Sequence, residues 1–184
     1  LEFRRVLFRS HRCCGRDQYH GRVYTPNLST PFLSHPLMAT IQERLDQIRP
    51  QIPSNATLVV VSKYHTVEEI KEAYDAGVRD FGENRVQELV SKVDKLPEDI
   101  RWHLIGSLQR NKVKYIAPFI TSIQSIESLA LYDEVERRAA QHNRTIDCLV
   151  EVYVAQEETK SGVPYDEVEA FFAALLERQA EGNA

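Results

Sequence analysis

The segment LVVVSKYHT, residues 58–66, decides how the chain is read. Its four consecutive apolar residues, three of them β-branched, suit a parallel strand covered on both sides better than a hairpin strand with one wet face. Lys63 stands directly behind that run, at the mouth of the strand. Thr66 then opens a helix. It has capping-box spacing to Glu69, Val67, Ile70 and Ala73 share a helical face, and Gly77 supplies the stop. The unit is strand, lysine, helix.

The same unit recurs downstream. VRDFGEN is a short strand before a helix carrying Val86, Leu89, Val90 and Val93, and IRWHLIGS is the next strand, with a helix ending near Pro118. FITSIQSI precedes a helix through Leu129, Tyr132, Val135 and Ala139. TIDCLVEVYV reads as one late strand, and Pro164 introduces a final helix whose inner face uses Val168, Phe171, Leu175 and Leu176. Ahead of them all, ATIQERLDQI places Ile41, Leu45 and Ile48 on one helical face. Repeated βα units imply an α/β fold with a parallel sheet and right-handed crossovers. Spacing alone leaves an open doubly wound sheet and a barrel both possible. A complete eightfold barrel takes about 250 residues, so five strand–helix pairs make an incomplete one.

Residues 1–37 differ from the rest. They begin at Leu1, contain Pro26, Pro31 and Pro36, and show no helical or strand period, whereas regular patterning starts just after the only methionine, Met38. They read as a non-native or disordered leader, with residues 38–184 as the domain. The leader carries a balance of +4, and the whole chain is at −4, which leaves −8 on the domain. Phosphate affinity comes from clustered basic charge, so a general nucleic-acid binder is excluded. The run RNKVK, Arg110 to Lys114, is a local basic patch or a solvated helix face. With Cys13 and Cys14 in the leader, Cys148 is alone in the domain, where it suits a small buried side chain and makes no disulfide framework or Cys-rich zinc site. The histidines lack metal-ligand spacing, so no metal is expected. No apolar stretch reaches membrane-spanning length; no membrane partner is expected, and the cytoplasm is the default location. No glycine-rich dinucleotide fingerprint or P-loop follows the first strand.

Lys63 is the sharpest chemical candidate. The carboxyl ends of parallel strands face the ligand crevice or barrel mouth, where a partly shielded amine can attack an aldehyde to form a Schiff base. The competing account is a lysine that snorkels to solvent. Other strand ends bring Glu83, Asn84, Gly106, Ser107, Ser125, Glu127 and Tyr153, with His103 inside the third strand. Each has a structural alternative: Asn84 as a helix cap, His103 as a satisfied core histidine, Ser125 as a turn former.

Four segments, VVVSK, FGENRVQEL, WHLIGSLQRNKVKYI and AQEETKSG, jointly resemble the YggS/PROSC family of pyridoxal phosphate homeostasis proteins, from about Ala39 through the terminal helix. The resemblance implies a TIM barrel of the alanine racemase N-terminal-domain type, with about five βα units present. It matches Lys63 to the lysine that holds pyridoxal 5'-phosphate as an internal aldimine, and Asn84 to a residue near the cofactor ring. With His103 and Ser125 from neighbouring strands, these form the expected cofactor-binding set. Family members are associated with cofactor binding and vitamin B6 balance without an established turnover, which implies reversible capture and delivery to PLP-dependent recipient enzymes, by a monomer once the fold is completed. The alternatives are a lysine-dependent racemase-like enzyme, with Tyr64 or Tyr153 as the second acid/base group, and a binding-defective fragment acting as a protein-interaction module. Thr121 and Gln124 depart from the family's histidine and aspartate, and Tyr153 from its asparagine. The family's later SMGMS-like loop and RIG segment, which help cradle the phosphate, have no counterpart before Ala184.

Overall fold

Local chemistry starts and stops the helices. The computed structural model describes residues 6–9, 40–153 and 161–182. Its elements are β1 (Val6–Arg9), α1 (Ile41–Ile48), β2 (Val60–Val61), α2 (Val67–Asp75), β3 (Asp80–Glu83), α3 (Val86–Val93), β4 (Arg101–Leu104), α4 (Val113–Ile116), β5 (Ser122–Ile126), α5 (Leu129–Gln141), β6 (Asp147–Val150), β7 (Val152–Tyr153), β8 (Val163–Pro164) and α6 (Val168–Gly182). At the head of α2, Thr66 Oγ1 accepts the Glu69 N–H at 3.2 Å while the Thr66 N–H donates to Glu69 Oε2 at 2.8 Å. This reciprocal capping box recurs at α1 with Thr40 and Glu43. Gly77, at φ +89°, ends α2: its N–H reaches Tyr74 O and the Val78 N–H reaches Ala73 O, the two bonds of a Schellman closure.

The strands β2, β3, β4, β5 and β6 lie side by side in chain order, all parallel. A doubly wound sheet reverses its order at a switch point. An unreversed run is the arc of an α/β barrel. One face of the arc meets the helices: Phe81, Trp102, Leu104 and Ile123 join Ile70, Leu89, Val113, Ile116 and Val135 in a single core, with the Phe81 and Trp102 rings 5.9 Å apart. The other face is polar by strand alternation, with Asp80, Arg101, His103, Ser122 and Gln124. Cys148 is buried in β6 as expected, and burial pushes its thiol well above the ordinary range. On the basic run, Arg110 and Lys114 are exposed while Val113 and Ile116 are buried, which is the solvated-face arrangement.

Several expectations are corrected. β2 is two residues long and Val61 is 45% exposed, so the first strand is not covered on both sides: it lies at the end of the sheet and pairs only with β3 among the described residues. Ile48, Val90 and Leu176 are exposed, and in α6 it is Leu175 that is fully buried. The late strand divides at Glu151. The Glu151 N–H continues the main sheet to Ile126 O at 2.9 Å, but its carbonyl turns to the Val163 N–H at 2.8 Å, so that β7 pairs with β8 instead. Gly162, at φ +125°, permits that approach, since a Cβ there would lie 3.0 Å from Glu151 O. The leader was expected to lack a strand, yet Val6–Arg9 runs antiparallel along β6, from Val6 opposite Val150 to Arg9 opposite Asp147. A sheet edge offers unpaired amides and carbonyls to any extended segment, and here that segment takes the edge of β6. The rest of the leader, including Cys13 and Cys14, and most of the AQEETKSG segment lie outside the described residues.

Candidate functional site

Parallel pairing brings the carboxyl ends of β2 to β6 to one rim. Lys63 sits there, two residues beyond Val61, in a turn closed by the His65 N–H bonding Ser62 O at 3.1 Å. Tyr64, third in the turn, has φ +67°, the type II pattern in which glycine is usual; a tyrosine there stores on the order of 1 kcal/mol of strain. Five bonds tie the turn to β3 and α3, one of them from Ser62 Oγ to Gly82 O at 3.3 Å. The Ser62 N–H reaches Gly82 O at 2.9 Å, Ser62 Oγ donates to Glu83 Oε1 at 2.7 Å, the Tyr64 N–H donates to Glu88 Oε1 at 2.6 Å, and Lys92 Nζ donates to Ser62 O at 3.0 Å. Lys63 itself is half-buried, and no hydrogen bond or ion pair joins its amine to another described residue.

Sequence reasoning missed Lys92. It lies buried on α3 with its Nζ 2.8 Å from Glu83 Oε1 and 2.7 Å from Glu88 Oε1. Burial pulls its proton affinity down, but the two carboxylates outweigh that and leave its pKa raised; Glu88 is correspondingly lowered, chiefly by the Lys92 hydrogen bond. Glu83 is 0% exposed, and its Oε2 has no partner among the described residues. One signal was available: Lys92 falls three residues after Leu89, inside the apolar stripe of its helix.

Asn84 follows β3 directly. The N-cap of α3 is Arg85, so Asn84 is not the helix cap that was its structural alternative. Gly106 packs against it so closely that a Cβ would stand 2.5 Å from Asn84 O and 2.9 Å from Asn84 Cα. Ser125 Oγ donates to Gly106 O at 2.7 Å. Asn84, Gly106 and Ser125 are thus one knit section of rim, joined to the Lys63 turn through the Ser62–Glu83 bond. His103 lies elsewhere. Its Nε2 is 3.0 Å from Asp80 Oδ1, at the opposite end of β3, and its Nδ1 is 3.4 Å from Gln124 Nε2. Burial raises the Asp80 pKa, but hydrogen bonds from His103 and from Arg101 overcome it and hold the carboxyl at about 2. Tyr153 pairs with Pro164, away from the main sheet.

An unreversed βα arc with a lysine at the mouth of its first parallel strand is the architecture of one class of barrel. The chain belongs to the family described as alanine racemase, N-terminal domain, whose pattern matches residues 38–182. It is 42% identical over 138 residues to the pyridoxal phosphate homeostasis protein of Schizosaccharomyces pombe strain 972, across 68% of this chain and 56% of that one. The protein of the same name from Aquifex aeolicus strain VF5 is 42% identical over 123 residues, across 66% and 54%. Among solved structures, PipY of Synechococcus elongatus PCC7942 without PLP superimposes with a TM-score of 0.68 at 36% identity, covering 73% of this chain and 64% of that one. PipY with PLP bound gives 0.62, covering 73% and 63%. The chain therefore spans a little over half the length of these two curated relatives.

Proposed function

We propose that this chain binds pyridoxal 5'-phosphate as a Schiff base on Lys63, and that the protein holds the cofactor or delivers it to PLP-dependent recipient enzymes in cytoplasmic vitamin B6 homeostasis. The observation that carries this is Lys63 at a strand mouth, in a turn pinned on both sides of it, with an amine that has no hydrogen bond or ion pair to a described residue. PipY with PLP bound, which shares this fold at 36% identity, supports the same ligand. The residues present suit the aldehyde end of the cofactor. Neutral Nζ would form a C=N bond to the aldehyde carbon, whose oxygen leaves as water.

The remaining roles belong to the rim. Asn84 offers a carboxamide to orient the ring. Ser125 holds Gly106 against Asn84 and so keeps that section of rim in place. His103, bonded to Asp80, supports the strand face beneath instead of the mouth. No described helix is long and apolar enough to cross a membrane.

The test is borohydride reduction of the folded chain with cofactor, followed by peptide mass mapping, alongside Lys63→Ala. One reduced pyridoxyl adduct on Lys63, with the Schiff-base absorbance lost in the variant, is expected. Adducts spread equally over surface lysines in both proteins would sink the proposal.

A further inference from the structure

We infer that Lys92 is the positioning residue for Lys63, acting through Glu83 and Glu88; this rests on the proposed role of Lys63. The residues on either side of Lys63 are gripped by two carboxylate oxygens: Glu83 Oε1 accepts from Ser62 Oγ, and Glu88 Oε1 accepts from the Tyr64 N–H. Lys92 Nζ bonds both of those same oxygens and also Ser62 O. One ammonium thus ties β3, α3 and the turn together through the residues that flank the candidate anchor.

Stability alone is a poor reason for this arrangement. Buried ion pairs recover little more than their desolvation cost, and apolar replacements of similar volume are often as stable. The cluster also leaves Glu83 Oε2 buried without a partner among the described residues, a cost that a device built only for stability would avoid. Geometry is the better account. The turn contains a strained Tyr64 and hangs from a strand of only two residues, so its shape must be imposed from outside. A displacement of about 1 Å at a reacting group can cost on the order of 100-fold in rate.

The experiment compares the full chain with Lys92→Met, Lys92→Arg and Ser62→Ala, each first shown to be folded by thermal melting. Two quantities are read: the rate at which the reducible pyridoxyl adduct forms on Lys63, and hydrogen exchange at the Tyr64 and His65 amides without cofactor. Lys92→Met is expected to slow the adduct by about 10-fold or more and to speed exchange at both amides by a similar factor. Lys92→Arg, which keeps a cation between the carboxylates, should restore most of both. A lysine serving the fold alone would lower the melting temperature and leave the adduct rate of the folded protein unchanged. That outcome overturns the inference. Should Lys92→Met not fold, Ser62→Ala decides, since it removes the hydroxyl's bonds to Glu83 and to Gly82 O and keeps the ion pair: a slower Lys63 adduct supports the inference, an unchanged one overturns it. An unaltered chain that forms no Lys63 adduct overturns the cofactor proposal and this inference together, and is distinguished by failing before any variant is compared.

Discussion

Gly106 has no room for a side chain. The atoms a Cβ would strike are the backbone of Asn84, which cannot swing aside as a rotamer can, so Gly106→Ala is expected to destabilise by about 1–3 kcal/mol. Gly82 is a useful contrast, because its nearest neighbours are side-chain atoms of Ile105 and Val59 at 3.2 and 3.3 Å. Chemical denaturation should therefore rank Gly106→Ala as the costlier substitution, and equal losses would contradict the close packing of the rim. At this scale the sequence shows what is local. Lys63 stands out because a charged residue ends an apolar run. Lys92 does not, because Glu88 four residues earlier makes it look like an ordinary surface pair, while the carboxylate that buries it, Glu83, belongs to another element. The partner of His103 is hidden for the same reason: Asp80 lies on the neighbouring strand, 23 positions earlier in sequence.

Helix boundaries are the most legible elements, since their signals lie within a few residues. Thr66→Ala removes the acceptor of the Glu69 N–H at the head of α2, the helix that follows the Lys63 turn. A loss of about 1 kcal/mol is expected, read as a melting temperature lower by roughly 2–4 °C, with Thr66→Ser close to the original. An unchanged melting temperature in Thr66→Ala would mean that packing of Ile70 and Ala73, and not the cap, sets the start of α2. Strand limits are less legible. The apolar run through Leu149, Val150, Val152 and Tyr153 is broken only by Glu151, and one charged residue in a strand does not announce that its carbonyl leaves the main sheet for Val163. Exposure of Val61 and Leu176 is likewise decided by which neighbours lie alongside, a property that helical or strand period does not contain.

Over the whole molecule, the interior face of the arc carries a charge pattern with a pH signature. Asp80 ionises at about 2 in the fold against an ordinary value of 3.8, so its contribution is fully present above pH 3.8 and is lost as pH falls through 2. The difference in unfolding free energy between the unaltered chain and Asp80→Asn should shrink by about 2 kcal/mol between pH 5 and pH 2, measured by denaturant titration. A difference that does not vary with pH would remove Asp80 from the acid response. Strand order is the global fact the sequence withheld. Repeated βα units suited a barrel or a doubly wound sheet equally, and only lateral adjacency, with each strand beside its chain neighbour, distinguishes them. That adjacency also makes the two margins of the sheet unequal. β1 already occupies the β6 side, while β2 pairs on one side only among the described residues. A further parallel strand laid on β2 would bring its carboxyl end alongside Lys63, whereas one added beyond β1 would be six strand spacings from β2, roughly 29 Å measured along the sheet at about 4.8 Å per strand. Chain arriving at the first margin alters the surroundings of the amine directly; chain arriving at the second reaches them only by continuing round the barrel to β2.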